Sequence, residues 1–173
     1  MGTDRLLDMV SKARIRRIER ADLPVVVEMV HELALYEREP DACHLTVAQL
    51  ETALFTSAPA LFGHVAEVDG EVVGVALWFL SFSTWRGTHG IYLEDLYVRP
   101  THRGSGLGQE LLTELARECV DRGYERLEWS VLDWNEPALG FYRSLGAVAM
   151  DEWTVHRLAD GALRALSQAD EPR

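Results

Sequence analysis

The chain has 173 residues, 47% of them hydrophobic and 26% charged, which suits one globular domain with its own core and excludes a disordered chain. No apolar run approaches the roughly 20 residues of a bilayer span, and the start lacks a secretory signal, so a cytoplasmic protein without a membrane partner is expected. A net charge of −11 argues against a nucleic-acid partner, since phosphate binding needs clustered cations, and leaves a cationic ligand better suited.

In chain order, residues 1–13 read as a loose leader and ARIRRIERA as a short strand with Ile15 and Ile18 as its apolar members. Asp22 is the expected N-cap of a first helix whose apolar members, Val26, Met29, Val30, Leu33 and Ala34, recur at helical spacing to an end near Tyr36. A second helix is expected from a Thr46 cap through Val47, Leu50, Ala53 and Leu54. Two β-rich runs flank Asp69-Gly70, a strong hairpin signal, and GIYLEDLYV supplies a third run. The helix after RGSGLG has Leu111, Leu112, Leu115, Cys119 and Val120 assigned to one face and Gly123 as its stop. LEWSVLDW is expected as a strand, NEPALGFYRSLG as a short helix, and Val148 to Leu158 as the last strands before a polar tail at 167–173. The sum is a mixed α/β domain over residues 14–166 with a central sheet.

The glycine loop sits between a strand and an amphipathic helix, where backbone N–H groups and the helix start suit a pyrophosphate. A P-loop would need Lys and Ser or Thr after Gly108, but Gln109 and Glu110 stand there. A dinucleotide fingerprint would need Gly or Ala at position 109.

The remaining pattern, Arg103-x-x-Gly106-x-Gly108, resembles the pyrophosphate loop of the GNAT acyltransferases, which bind acetyl-CoA. ELALYE (Glu32 to Glu37), YLEDLYV (Tyr92 to Val98), RGSGLG and WNEPALGFYRSLGA (Trp134 to Ala147) extend the resemblance, in order, to the spermidine/spermine diamine acetyltransferases, over Ile15 to Leu158. The resemblance implies a GNAT fold, a mixed sheet flanked by helices, and a homodimer. It implies that Leu96, Tyr97 and Val98 pair with the pantetheine arm as an added strand would, and that Arg103, Gly104, Ser105, Gly106, Leu107, Gly108 and Gln109 hold the pyrophosphate. Asn135, Glu136, Pro137 and Ala138 are implied as further cofactor contacts, although Asn135 also reads locally as a helix N-cap with Pro137 in the first turn.

Acetyl transfer to an alkyl amine needs the neutral nitrogen of a group with a pKa near 10. Glu94 and Asp95 form an acidic pair in an otherwise apolar strand, whose alternation sends them to opposite faces, so that they cannot serve one role by the same geometry. With the resemblance, Glu94 becomes the general base and Asp95 an amine-site charge, while Tyr142 matches the family's proton donor to the leaving thiolate. Tyr36, Glu37, Trp85, Glu128, Trp129, Ser130 and Glu152 are implied around the substrate. Glu128 and Trp129 differ from the side chains of the diamine enzymes. Phe141 is the better core candidate of the Phe141-Tyr142 pair.

The expected activity is acetyl-CoA-dependent N-acetylation of a small diamine or polyamine through a ternary complex. Cys43 and Cys119 lie outside the matched site, so no acyl-enzyme is expected. The six histidines have no metal-ligand spacing, so no metal is expected. The alternatives are a GNAT acting on thialysine or another amino acid, an aminoglycoside or a protein amine, and a CoA-binding module without turnover.

Overall fold

A computed structural model describes residues 13–168, so the leader and the last tail residues lie outside it, apart from Ala13, Ser167 and Gln168. These residues form two compact units, one ending at Ser130 and one starting at Val131.

The first unit is built on a five-stranded sheet in the order β1-β2-β3-β4-β5. The strands are β1 Ala13–Arg17, β2 Phe62–Val68, β3 Glu71–Ser83, β4 Thr88–Val98 and β5 Leu127–Trp129. The first four pair antiparallel, and β5 joins β4 in parallel. Asp69 (φ 52) and Gly70 (φ 84) supply two successive left-handed residues, the tight turn expected between β2 and β3.

Helices α1 (Leu23–Tyr36) and α2 (Val47–Leu54) cover one face. Val26 and Met29 of α1 and Leu50 of α2 pack with Val65, Val75, Leu77 and Tyr97 in one buried cluster. Helix α3 (Leu107–Asp121) covers the other face. His64, whose neighbour Val65 points into the α1 cluster, faces the charges of Glu114 and Glu118 on α3. Thr46 caps α2 by accepting from the Gln49 N–H while the Gln49 side chain accepts from the Thr46 N–H. Gly123 (φ 68) stops α3, with the Tyr124 N–H returning to the Cys119 carbonyl.

Four expectations are corrected in this unit. Asp22 precedes α1 but its side chain does not cap it. Arg16 donates to both carboxylate oxygens, at 2.6 and 2.9 Å, and the Glu19 N–H donates at 2.8 Å, which engages the group elsewhere. Val120 is 77% exposed, because at 100° per residue it falls well outside the arc of Leu111, Leu115 and Cys119. The strand expected over LEWSVLDW is only Leu127–Trp129 long, since its ladder to β4 ends at Leu93, where β4 becomes irregular. Glu94 and Asp95 do not follow simple alternation, for the reason given below.

The second unit contains α4 (Glu136–Ser144) and α5 (Asp160–Ser167). Asn135 caps α4 as expected, its Oδ1 accepting from the Ala138 N–H at 3.3 Å. Phe141 and Tyr142 are both half-buried with ring centroids 5.3 Å apart, so Phe141 is not distinguished as a core residue. The strands expected over Val148 to Leu158 do not form. The Trp153 N–H donates to the Met150 carbonyl, so Asp151 and Glu152 make a turn within that stretch. Helix α5 was not foreseen, and its first residues fall before the expected polar tail.

Candidate active site

The centre of β4 is interrupted. Asp95 stands opposite Leu77 on β3 and Leu93 stands opposite Trp78, which leaves Glu94 as an extra residue in a β-bulge. Leu93 is buried, Glu94 is exposed and Asp95 is half-buried. The bulge also ends the ladder with β5, so from Asp95 to Val98 β4 is paired to β3 on one side and runs beyond β5 on the other.

Three carboxylates meet there. Burial pushes the Asp95 carboxyl up to about 6, and the charges of Glu94 and Glu37 push it in the same direction. Glu37, the residue after α1, is itself raised by burial. This cluster carries concentrated negative charge in a partly desolvated place, where a cation is held strongly.

Beyond Val98 the chain makes a 3-10 turn at Pro100–His102 and then the glycine loop. Gly104 (φ 77) and Gly106 (φ 93) are left-handed, and a Cβ on either would meet no atom within 4 Å, so backbone conformation rather than space demands glycine. The first helical bond of α3 runs from the Glu110 N–H to the Gly106 carbonyl at 3.0 Å. The N–H groups of Leu107, Gly108 and Gln109 precede it and are aimed out of the helix start, as an anion requires. An edge of β4 that pairs with no strand among the described residues, leading to such a cradle, fits the amides and pyrophosphate of an extended acetyl-CoA.

The Arg103 side chain turns back toward α1. Its Nε donates to the Val98 carbonyl at 2.9 Å, and its guanidinium carbon lies 5.0 Å from the Tyr36 ring centroid and 5.3 Å from that of Tyr97. Tyr36, Glu37, Glu94, Asp95 and the Leu96 to Gln109 segment are therefore brought to one end of the sheet.

Other candidates are placed differently. Glu128 and Trp129 on β5 stand opposite Tyr92 and Leu93, just before the bulge. Ser130 Oγ lies 2.7 Å from the Tyr92 hydroxyl, and Glu128 pairs with Arg126 at 2.9 Å. Trp85 is 89% exposed in the turn between β3 and β4, seven strand residues or about 23 Å from Asp95, so its own chain does not bring it to the carboxylates. In the second unit, Asn135, Glu136, Pro137 and Ala138 form the start of α4, Tyr142 lies in its last turns, and Glu152 is exposed.

Sequence reasoning missed Arg99. It is half-buried and contacts Glu28, Glu32 and Glu71 at 3.1, 3.2 and 3.5 Å. A cation at the exit of an apolar strand, with acidic residues four apart on the first helix, was the signal available for it.

The family model described as "Acetyltransferase (GNAT) family" matches residues 13–147. A thialysine N-epsilon-acetyltransferase from Bos taurus is 35% identical over 164 residues, 88% of this chain and 96% of that protein. A spermidine/spermine N(1)-acetyltransferase-like protein 1 from Homo sapiens is 31% identical over 142 residues, 78% of this chain but 20% of that longer protein. Among solved structures, an integron cassette protein from V. cholerae superposes with a TM-score of 0.76 at 25% identity, covering 90% of this chain and 98% of its own. With this sheet order, the bulged β4 and the glycine loop, the chain belongs to the GNAT family and is an N-acetyltransferase.

Proposed function

We propose that the protein acetylates a primary amine of a small molecule carrying more than one positive charge, a diamine or polyamine, with residues 14–166 acting as one catalytic domain. The observation that carries this reading is the Glu37, Glu94 and Asp95 cluster beside the free edge of β4. Acetyl-CoA, when bound, supplies an activated acetyl thioester.

In this reading the backbone of Leu96 to Val98 and of Arg103 to Gln109 binds the donor, with Asn135 to Ala138 as further contacts. Tyr36, Glu37 and Asp95 hold the cationic acceptor, Glu128, Trp129 and Ser130 border it, and Trp85 and Glu152 remain outer candidates. Glu94, exposed at the bulge, takes the ammonium proton directly or through water, leaving a nucleophilic amine. Tyr142 takes the role that the family resemblance gives it, the donor to the departing sulfur. A phenol of ordinary acidity protonating an ordinary thiolate is uphill by about 2 kcal/mol, so its contribution is a hydrogen bond to developing charge. The chain acts as a homodimer in this account, as the family resemblance implies.

A second reading has its own support: a thialysine acetyltransferase is among the relatives, so the acceptor could be an amino acid with a terminal amine. CoA release should be measured with spermidine, putrescine, thialysine, lysine, an aminoglycoside and a basic peptide, for the wild type, Glu94→Gln and Tyr142→Phe. Saturable turnover of a diamine or polyamine, lost in both variants, is expected. Turnover of thialysine alone selects the second reading, and turnover of the peptide alone removes both.

A further inference from the structure

We propose that Arg99, which lies outside the cofactor loop and the carboxylate cluster, is a positioning residue for the acceptor site, fixing the end of α1 that carries Tyr36 and Glu37 against β4. Its backbone is anchored first: the Arg99 N–H donates to the Val73 carbonyl on β3 at 2.9 Å. From that fixed point the side chain reaches α1, where one nitrogen, Nη2, lies 3.1 Å from Glu28 and 3.2 Å from Glu32. Those two glutamates are one helical turn apart, and like charges at that spacing repel unless a cation lies between them.

Glu32 also lies beside β4, since burial first and then the neighbouring Glu32 raise the Tyr97 phenol. One turn further along α1, Tyr36 stacks on Arg103, which also bonds the Val98 carbonyl. Helix α1 is thus held at positions 28, 32 and 36, each time to the last residues of β4 or the loop that follows. Glu37 is the next residue, so its distance from Asp95 depends on these ties. An exposed ion pair contributes about 0–1 kcal/mol and positions little, so the contacts to the exposed Glu28 and Glu71 add little, whereas the pair with Glu32 is half-buried on both sides.

The Glu71 contact from β3 provides an internal control, since it leads to the sheet and not to α1. Glu32→Gln should disturb the acceptor site, and Glu71→Gln should not.

The deciding experiment is a carboxyl-13C NMR titration of Asp95 in the wild type, Arg99→Met and Arg99→Lys, which needs no acceptor. Burial and Glu94 raise the Asp95 carboxyl more than Glu37 does, so releasing the end of α1, which withdraws Glu37, should lower the Asp95 midpoint by part of its elevation in Arg99→Met and by less in Arg99→Lys. Removing a cation without releasing the helix would move it upward instead. An unchanged or raised midpoint in the folded variants overturns the proposal.

A second arm rests on the proposed function. With spermidine or thialysine, Arg99→Met and Glu32→Gln should raise the acceptor KM about tenfold while kcat and CoA affinity stay within about twofold. Equal KM effects from Glu71→Gln and Glu32→Gln would also overturn it. Absence of wild-type turnover on any amine counts against the function, and the titration then decides the role of Arg99 by itself.

Discussion

Glu94 and Asp95 are neighbours in sequence, yet only Asp95 has a partner across the β3–β4 ladder, because Glu94 is the extra residue of the bulge. One carboxylate is thereby exposed and the other half-buried within reach of its charge. A regular strand would have sent the two to opposite faces of the sheet.

The first prediction concerns Asp95→Asn. The Asp95 carboxyl titrates near 6 in the folded chain against about 3.9 when unfolded, so the folded state binds the proton more tightly. Stability therefore falls as pH rises from about 4 to 6 and stays reduced above that range. Asn removes the cost of the buried charge and should raise unfolding free energy at pH 7 by on the order of 1–3 kcal/mol, while lowering kcat/KM for a cationic amine at least about tenfold. Urea denaturation beside steady-state kinetics checks both.

Acceptor binding should weaken in acid. Below pH 6 Asp95 becomes neutral and the cluster loses one charge, so the dissociation constant for a diamine should rise toward about tenfold per pH unit. Calorimetric titration of putrescine between pH 5 and 8 reads this, and Asp95→Asn should flatten the profile.

Gly106→Ala tests the cradle. At φ 93 an L-residue is strained by roughly 1–2 kcal/mol, with no clash to add to it. The variant should lose up to about that much stability or shift the loop, and CoA affinity should drop about tenfold or more as the N–H groups lose their alignment. Binding of CoA to the variant, measured without acceptor, gives the answer.

His64 predicts a separate acid sensitivity. It is buried, and its Nδ1 accepts from the Trp78 indole N–H at 3.2 Å, which requires the neutral ring. Burial lowers it to about 4, with Arg17 adding to the effect. The unfolded ring protonates below about pH 6.5 and the folded one does not, so up to about 3 kcal/mol of stability is lost as pH falls from 6.5 to 4. His64→Ala should be less stable at pH 7 but show a shallower decline over that window.

Much of the first unit was legible because its signals are local. Asp69-Gly70, the Thr46 cap, the spacing of Val26 and Met29 and the glycines of the loop each fix their own conformation. The bulge was not legible, since nothing in LEDLY marks which residue loses its cross-strand partner; that depends on the register with β3. The Asp22 capping reading failed for a related reason, since Arg16 competes for the same carboxylate only once β1 and the helix start are brought together. The β-like pattern of Val148 to Leu158 likewise gave no strand, as pattern alone supplies no pairing partner.

The central claim is that Glu37, Glu94 and Asp95 recognise the acceptor by charge. Its most direct test compares kcat/KM for a diamine and for an alkyl monoamine of the same chain length, in the wild type and in Asp95→Asn. A strong wild-type preference for the diamine that largely disappears in the variant is expected. Equal rates for both amines in the wild type, or a preference that survives in Asp95→Asn, would contradict it.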